Sequence, residues 1–538
     1  MDYGHLETDC GPVNLLIFKS LRKKFNLESK EERREFLRRI CPLVSDWKDK
    51  YSDLGSIFRP REFDWLLSDS IDISCNGPDN LHGLEFFNFV IRSGYKDKPD
   101  IDKDGKPVLR RSTPVHHVAR RTVTNWKYWL SGLFKMYNRF DVNYIDECGF
   151  THFHAACQAD REDIVEQFLE HGQDPNCRPR ESNQKIYFNP PLHVALEHDN
   201  QVVAKLLLRS GADPNLANVK GSTPLHIICR NSRLIDTMKM FFKINDEKNQ
   251  MVHVDARDRC GCTPLHLALT YQDAKVTEVL LIRGANPTLV QENGLTPLHS
   301  ICTKKDGDYL LKALLKSSNN KKNPVHVNAQ DNDGDTPLHL ALESERKVVV
   351  ELLLKNGAEP NLANKEGLTP LHVICNRNDD DDDDLAKLFF KAIDAIHGSV
   401  HVDARDKLGR TPLQLAVSNL LPHVVEVLLD HGADLSNFSF PNESYFGKRF
   451  EPTNDSLNFK LKLASGALAI VERLEIRGYE LTFSETMTIM KFFSKHKLIN
   501  NSGHDNFWHS NENFLIKAKK ILMIPSLSLY ELIRSLPE

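Results

Sequence analysis

The chain has 538 residues, more than one hydrophobic core usually supports, so we expect several domains or a stack of repeats. Apolar residues make up 40% and charged residues 27%, a balance that is typical of folded proteins and excludes an extended disordered chain. The formal net charge of -4 is small and excludes a whole-chain attraction to nucleic acid or anionic lipid.

The N-terminus and the cysteines indicate a reducing compartment, either the cytoplasm or the nucleus. Near the N-terminus, acidic residues precede a short apolar stretch and basic residues follow it, which is the reverse of a secretory signal. No apolar run is long enough to predict a membrane span. The 11 cysteines are too thinly spread for a disulfide framework. We expect four of them to be buried and reduced: Cys157, Cys229, Cys302 and Cys375.

Residues 1–103 carry none of the repeats described below and predict a helical cap region. Phe63–Leu67 and Leu84–Ile91 have the apolar pattern of helices and lie beside polar turns that contain glycine and proline. A stack of helical repeats needs ends with polar outer faces, so a cap is the simplest role for this region.

Residues 105–140 contain eight Lys or Arg and no acid, interleaved with aromatic residues. Bases and aromatics together are the pattern of a nucleic-acid face, so a nucleic-acid-associated regulator is the alternative function of the chain. The favoured interpretation is that the apolar residues form the inward stripe of the first repeats while the bases face solvent. That stripe comprises Trp126, Trp129, Leu130, Leu133 and Phe134.

A four-residue box recurs between about residues 104 and 436. Thr-Pro-Leu-His occurs five times, Thr-Pro-Leu-Gln stands at 411–414, and three degenerate copies come earlier, which makes nine units. The histidines alternate between spacings of 33 and 40 residues, so the true period is a pair of repeats of about 73 residues. We assign a structural role to the intact boxes, whose residues are Thr223 and His226, Thr263 and His266, Thr296 and His299, Thr336 and His339, and Thr369 and His372.

Each part of the unit has a physical reason to be there. Threonine is a good helix N-cap, and proline at the first helical position loses no hydrogen bond. A second short helix follows, for example Val349–Gly357, whose closing glycine suits the left-handed position after a helix end. Asp331–Gly334 is a turn sequence between units. One such unit cannot bury its own apolar face, so neighbouring units must stack.

These residues resemble the ankyrin repeat, because the Thr-Pro-Leu-His box, the Gly-Ala-Asp-Pro-Asn segment at 211–215 and the 33-residue spacing recur together. The resemblance covers residues 104–436. It implies an all-α fold, an ankyrin-repeat solenoid with projecting hairpin tips and a concave face of inner helices. It also implies that this face and these tips bind protein partners.

Alternate units depart from the simple ankyrin pattern by an insertion after the second helix. The insertions are Lys243–Met251, Ser317–Pro324 and His397–Val400. Because all three follow the same helix of the unit, we expect them on one side of the stack. Loops on a rigid scaffold often bind partners, whereas long surface loops without function are also tolerated, and both interpretations stay open.

No motif in the chain indicates an enzyme, a cofactor or a metal. Cys260 and Cys262 lie between two histidines, but their spacing does not fit a structural zinc site and the histidines already belong to repeats. The aspartate run at 379–384 is the pattern of a solvated loop. Nucleophile elbows, phosphate loops and kinase signatures are missing from the sequence. We therefore expect a non-enzymatic protein.

The repeat pattern stops after Asp434, and residues 437–459 read as a linker rich in Phe, Asn, Pro and Ser. Residues 460–538 form the predicted helical C-terminal region. Within it, the apolar pattern predicts helices at Lys460–Leu474, Thr482–His496 and Phe514–Met523.

The final stretch, Ile524–Glu538, resembles the PRANC domain, the C-terminal module of poxvirus-type ankyrin proteins. That resemblance implies an F-box-like helical segment and a role as substrate adaptor of a Skp1–cullin ubiquitin ligase. The chain stops where the F-box-like helices would continue, so we expect a truncated module. After Pro525, one predicted helix face either contacts Skp1 or docks on residues 460–523. Its residues are Leu527, Leu529, Leu532 and Ile533.

The sequence as a whole predicts a scaffold that binds target proteins through its repeats.

Overall fold

The computed structural model describes residues 11–45, 54–76, 80–121, 125–178, 189–231, 234–271, 274–305, 307–318, 324–377, 384–450, 457–496, 522–524 and 527–528. These residues form 24 α-helices, one short 3-10 helix and one two-stranded hairpin, which confirms the predicted all-α class. The chain divides into two compact units, Met1–Arg259 and Cys260–Glu538. Among the described helices, none is both long and apolar enough to cross a membrane.

The first unit begins with four helices around a phenylalanine-rich core. Phe18, Phe36, Phe58 and Phe63 are buried, and Phe58 meets Phe63 edge to face with ring centroids 5.0 Å apart. Edge-to-face packing is the geometry that aromatic pairs prefer. Residues 1–103 therefore contain a core of their own. The helices are α1 (Gly11–Lys24), α2 (Lys30–Ser45), α3 (Pro60–Asn76) and α4 (Asn80–Ser93).

The rest of the first unit is a series of helix pairs. The first helix of each pair contacts the first helix of the next. Second helices also contact each other from the second pair onward, which is the packing of stacked repeats. The pairs are α5 (Pro114–Arg121) with α6 (Trp126–Met136), α7 (His152–Gln158) with α8 (Glu162–Glu170), α9 (Pro191–Glu197) with α10 (Gln201–Arg209), and α11 (Pro224–Cys229) with α12 (Ile235–Glu247).

The second unit contains five helix pairs, which stack on one another in the same manner. The pairs are α13 (Pro264–Thr270) with α14 (Ala274–Ile282), α15 (Pro297–Cys302) with α16 (Gly307–Ser318), α17 (Pro337–Glu343) with α18 (Lys347–Lys355), α19 (Pro370–Cys375) with α20 (Asp384–Ala395), and α21 (Pro412–Ser418) with α22 (Pro422–Asp430). The four cysteines predicted to be buried are buried, since Cys157, Cys229, Cys302 and Cys375 each show at most 1% of their surface.

Two long helices cover the end of the second unit. Helix α23 (Leu457–Ile476) packs on α22, and α24 (Phe483–Lys495) follows it. Between the last repeat and α23, Phe446 packs against Phe440 and, edge to face, against Phe492 of α24. The linker predicted from composition is thus held by its aromatic side chains. Helices α23 and α24 confirm the helices predicted at Lys460–Leu474 and Thr482–His496.

The last predicted helices are wrong where the structure describes them. Leu522–Ile524 forms strand β1 and pairs antiparallel with β2 (Leu527–Ser528), so Leu522, Met523 and Leu527 lie in a hairpin and not in helices. The physical reason is visible in the sequence, because Pro525 breaks a helix and leucine alternates with serine in Leu527–Leu529, which is the period of a strand. Leu529, Leu532 and Ile533 lie outside the described residues.

Candidate protein-interaction surface

The Thr-Pro-Leu-His box fixes the start of the first helix in each intact repeat. In α17, the Thr336 backbone N–H donates to His339 Nδ1 at 3.2 Å, and the Thr336 hydroxyl lies 2.8 Å from the same nitrogen. The side chain of each of these two residues accepts a hydrogen bond from the backbone N–H of the other, which is the arrangement of a capping box. The same reciprocal cap forms in the other four intact boxes, at Thr223 with His226, Thr263 with His266, Thr296 with His299, and Thr369 with His372.

The same histidines also join one repeat to the next. Since Nδ1 accepts from the threonine N–H, the proton of the neutral ring lies on Nε2. In the second unit that nitrogen donates to a backbone carbonyl of the following repeat, for instance from His339 to Leu368 at 2.9 Å. The equivalent bonds run from His266 to Leu295, from His299 to Asp335 and from His372 to Arg410. In the first unit, His193 of a degenerate box makes the same bond to Ser222 through Nε2.

Burial keeps these rings neutral. Desolvation lowers the pKa of His193 to about 4 and lowers the pKa of His299, His339 and His372 as well, although backbone carbonyls and nearby aspartates favour the charged form of the last three. A neutral ring is the form that can accept at Nδ1 and donate at Nε2 together. The box histidines are therefore structural groups that hold the repeats in register.

The last box has glutamine in place of histidine. Its side chain makes the hydrogen bond that joins repeats elsewhere, but here the acceptor lies in the segment that follows the array. The Thr411 N–H donates to Gln414 Oε1 at 2.9 Å, so the cap is preserved. Gln414 Nε2 donates to the Ser439 carbonyl at 3.0 Å. A carboxamide reproduces the acceptor and the donor of the neutral imidazole, and its donor reaches the first residues beyond the last repeat.

Asparagine side chains form a second set of hydrogen bonds between repeats, which we call asparagine ties. The sequence interpretation did not single out these asparagines. Asn361 Nδ2 donates to the Ser399 carbonyl at 2.9 Å, and Asn361 Oδ1 accepts from the His401 N–H at 2.8 Å. The same pair of bonds is made by Asn176 to Gly211 and Asp213, by Asn215 to Met251 and His253, and by Asn328 to Gly357 and Glu359. The signal was present in the sequence, because an asparagine recurs after the second helix of four units, at positions 176, 215, 328 and 361.

The hairpin tips form a row connected through the backbone. In the second unit, the Asn332 N–H donates to the Asn293 carbonyl, the Lys365 N–H to Asp333 and the Lys407 N–H to Glu366, all near 3 Å. At the tip glycines the chain adopts positive φ, and a Cβ on Gly367 would stand 2.8 Å from the Lys407 nitrogen. Glycine is therefore required where one tip rests on the next.

A cleft of about 490 Å³ lies between these tips and the first helices of the second unit. Arg377 pairs with Glu345 and shows only 9% of its side chain, and Arg449 donates to the Asn376 carbonyl. The surface is polar and of mixed charge. Its lining residues are Asp335, His339, Glu343, Glu345, Asn364, Leu368, Val373, Asn376, Arg377 and Arg449.

A second cleft has a volume of about 630 Å³, and its lining includes Pro287, Val290, Val325 and Val327. Of the three insertions, the first begins within α12, the second is described only in part, and the third is described throughout. The backbone at Met251 and Ser399, within two of these insertions, is held by the asparagine ties. Both segments are thus anchored to the scaffold at one end.

The basic and aromatic stretch at 105–140 is largely occupied by structural contacts. Trp129, Leu130, Leu133 and Phe134 are buried, which confirms the inward stripe for these four residues, while Trp126 is half-buried. The expectation that the bases face solvent is wrong for Arg111, which is buried against Asp64 and Asp97. Other bases also pair with acids: Arg120 with the buried Asp146, Arg121 with the buried Asp72, and Arg139 with the exposed Asp141.

One group of three side chains among the described residues has the types and spacing to hold a metal ion, and it comprises Cys41, His82 and Glu85. Cys260 and Cys262 are described and do not belong to such a group. The group lies on α2 and α4 of the first unit.

Comparison with known proteins identifies the repeats. Residues 192–291, 273–364 and 344–439 match the family model described as ankyrin repeats in three copies. Together with the stacked helix pairs, these matches confirm the ankyrin-repeat fold that the box predicts.

Three curated relatives and one solved structure illustrate the similarity. Transient receptor potential cation channel subfamily A member 1 of Drosophila melanogaster is 28% identical over 326 residues, which are 60% of this chain and 26% of the relative. Rabankyrin-5 of Homo sapiens is 28% identical over 250 residues, 46% of this chain and 18% of the relative. The B-cell lymphoma 3 protein homolog of Mus musculus is 28% identical over 218 residues, 40% of this chain and 45% of the relative.

The ankyrin repeat domain of Bcl-3 is 25% identical, with a TM-score of 0.36 over 42% of this chain and 95% of that chain. The chain spans less than half of the length of each of the three curated relatives.

Proposed function

We propose that the ankyrin repeats of this chain form a scaffold that binds a protein partner in the cleft between the tips and the first helices of the second unit. One observation carries the proposal: three kinds of hydrogen bond join the repeats around the cleft. They are made by histidine side chains, by asparagine side chains and by the backbones of the hairpin tips. A surface held this firmly loses little conformational freedom when it binds, so more of the contact energy contributes to affinity.

The lining of the cleft favours a partner segment with polar and basic groups. Asp335, Glu343 and Glu345 contribute three acids, and the two arginines are already engaged with Glu345 and Asn376. Glu343 is exposed at the end of α17 and is the acid best placed to meet a basic side chain. Complementary charge of this kind contributes mainly to specificity and to the rate of association.

A photo-reactive amino acid at position 343 tests the location of the binding surface. The full chain carrying it is irradiated in cells, and the cross-linked protein is identified and purified. A matched chain carries the same group at Lys355, which is exposed on α18 outside the cleft. We expect cross-linking from 343 and not from 355, and binding of the purified partner should fall at least about tenfold with Glu343→Arg, a loss of roughly 1.4 kcal/mol. Cross-linking from 355 alone, or unchanged affinity, would contradict the proposal.

In a narrower form of the proposal, the scaffold delivers its partner to a Skp1–cullin ubiquitin ligase. Support comes from the resemblance of Ile524–Glu538 to the PRANC module, with Leu527, Leu529, Leu532 and Ile533 as candidate contacts. The competing role, docking of the tail on residues 460–523, is supported by strand β1, which lies beside α24.

Binding to purified Skp1 separates the two roles of the tail. Tight binding by the full chain that is lost in Leu532→Asp supports the ligase adaptor. Absence of binding, together with a lower melting temperature of Leu532→Asp, supports tail docking and leaves the broader scaffold proposal intact.

A further inference from the structure

Helices α2 and α4 bring three metal-binding side chains to one point in the first unit. Cys41 lies near the C-terminal end of α2, while His82 and Glu85 lie three residues apart at the start of α4 and so share one helix face. One ligand atom from each of the three residues lies within 4.8 Å of the other two. Neither the repeats nor the cleft of the second unit uses these side chains.

One nitrogen of the His82 imidazole lacks a hydrogen bond at this point. Its Nδ1 is buried and has no hydrogen-bond partner among the described residues. The nearest carboxylate oxygen, Glu85 Oε2, is 3.9 Å away, which is too long for a hydrogen bond. A buried polar nitrogen without a partner is destabilising, and its lone pair is available to an ion that fits the space.

The other two groups complete a donor set of sulfur, nitrogen and oxygen. Cys41 Sγ is buried and lies 2.8 Å from the His82 carbonyl oxygen, so the thiol is held against the first turn of α4. His82 and Glu85 expose 39% and 36% of their side chains, which leaves an approach from solvent. A thiol nucleophile would need to be accessible to a substrate, and Cys41 is fully buried. The arrangement therefore favours coordination over catalysis.

We propose that Cys41, His82 and Glu85 bind one zinc ion that links α2 to α4. Thiolate, imidazole and carboxylate are the ligands that zinc takes in proteins, whereas calcium and magnesium prefer oxygen alone. Tetrahedral bonds to sulfur and nitrogen place those two atoms about 3.6 Å apart, so the cluster needs only a small contraction, which the partly exposed His82 and Glu85 can supply by side-chain rotation. Water from the exposed side fills the fourth position.

Zinc binding at this point changes the protonation of one residue. Cys41 loses its thiol proton to solvent, and the zinc–sulfur bond replaces its contact with the His82 carbonyl. Two helices separated by about 40 residues of chain become joined through the ion. The folded N-terminal helices therefore gain stability with the logarithm of the free zinc concentration once that concentration exceeds the dissociation constant.

Cobalt provides a direct probe of the three ligands, because a thiolate–cobalt bond gives a charge-transfer band in the near ultraviolet. The full chain is prepared free of metal and titrated with Co²⁺ and then with Zn²⁺. We expect one equivalent of Co²⁺ to produce the band, Zn²⁺ to displace it, and Zn²⁺ to raise the melting temperature. A missing band, or a melting temperature unchanged by zinc, would overturn the proposal.

Variants assign the band to this site. Cys41→Ser should abolish it, and His82→Gln or Glu85→Gln should weaken zinc affinity at least about tenfold. The matched control is Cys260→Ser, which should keep both the band and the affinity. Because Cys41 is buried and its replacement can affect folding, the partly exposed His82 and Glu85 variants, checked by circular dichroism, decide the matter independently. Unchanged affinity in folded His82→Gln, or a band lost with Cys260→Ser, would refute the assignment.

Discussion

Arg111 forms a two-point ion pair with Asp64, with Nε 2.6 Å from Oδ2 and a terminal nitrogen 2.9 Å from Oδ1. Arg111 precedes the first repeat helix, and Asp64 belongs to α3, so the pair joins the N-terminal helices to the array. Tyr137 donates to the same carboxylate, and Arg111 also meets Asp97 at 3.0 Å. The whole group is buried.

Arg111→Ala should lower the free energy of unfolding of the chain by about 3 to 5 kcal/mol, because two buried carboxylates then lack their cation. Arg110→Ala is the matched control, since Arg110 is exposed and its loss should change stability by about 0.5 kcal/mol or less. Urea denaturation followed by circular dichroism measures both. Equal effects of the two variants would show that the ion pair does not hold the N-terminal helices in place.

Stability should fall as the pH drops below about 6.5, because the box histidines must stay neutral. Their pKa is lowered in the folded chain, to about 4 for His193, so the unfolded state binds protons first as the solution is acidified. The contribution is fully present above the unfolded pKa and is lost as the pH falls toward the folded one. Urea midpoints between pH 7.5 and pH 5 measure this loss.

His339→Gln provides the control for the pH effect, since glutamine makes both bonds of the box at position 414. We expect this variant to fold and to lose less stability on acidification than the natural chain. If His339→Gln loses as much stability on acidification as the natural chain, protonation of His339 does not contribute to the pH effect.

Gly83→Ala should destabilise the N-terminal helices, because a Cβ at this position would lie 2.0 Å from the Ser70 carbonyl oxygen and 2.4 Å from Ser74 Oγ. The helices α3 and α4 must then separate, at a cost of about 1 to 3 kcal/mol. Gly55→Ala is the matched control, since nothing lies within 4 Å of its Cβ. Thermal melts of both variants test the contact, and a similar melting temperature for the two would argue against it.

Asn361→Ala removes two inter-repeat bonds and should cost about 1 to 3 kcal/mol. Asn361→Asp keeps the acceptor for the His401 N–H but places a carboxylate oxygen against the Ser399 carbonyl, so it too should be less stable than the natural chain. Lys355→Ala, on the exposed side of α18, serves as control. Hydrogen exchange at His401 provides a local readout, and protection that survives in Asn361→Ala would show that the tie is dispensable.

The box allowed the starts of the repeat helices to be predicted, since threonine, proline and histidine act within four residues of one another. Contacts between distant residues were beyond such reasoning. Arg111 and Asp64 are 47 residues apart, and no local pattern marks them as partners. The strands Leu522–Ile524 and Leu527–Ser528 were missed because leucine recurrence was interpreted with helical spacing, although Pro525 and the leucine–serine alternation indicated strands.

The zinc-site residues escaped notice for a similar reason. His82 and Glu85 have ligand spacing on α4, but Cys41 comes from a different helix, and only the packing of α2 on α4 brings the three together. The asparagine ties were within reach, because Asn215 and Asn361 occupy equivalent places in their repeats.

Every histidine tie ends on a main-chain carbonyl, and the accepting residues are as different as Ser222, Asp335, Leu368 and Arg410. A bond of this kind makes no demand on the side chain across the junction. Gene duplication can therefore copy the two-repeat module of about 73 residues without matching new residues at its borders. The surface residues of each copy are then free to diverge, and the array can lengthen or acquire new specificity while its internal bonding stays the same.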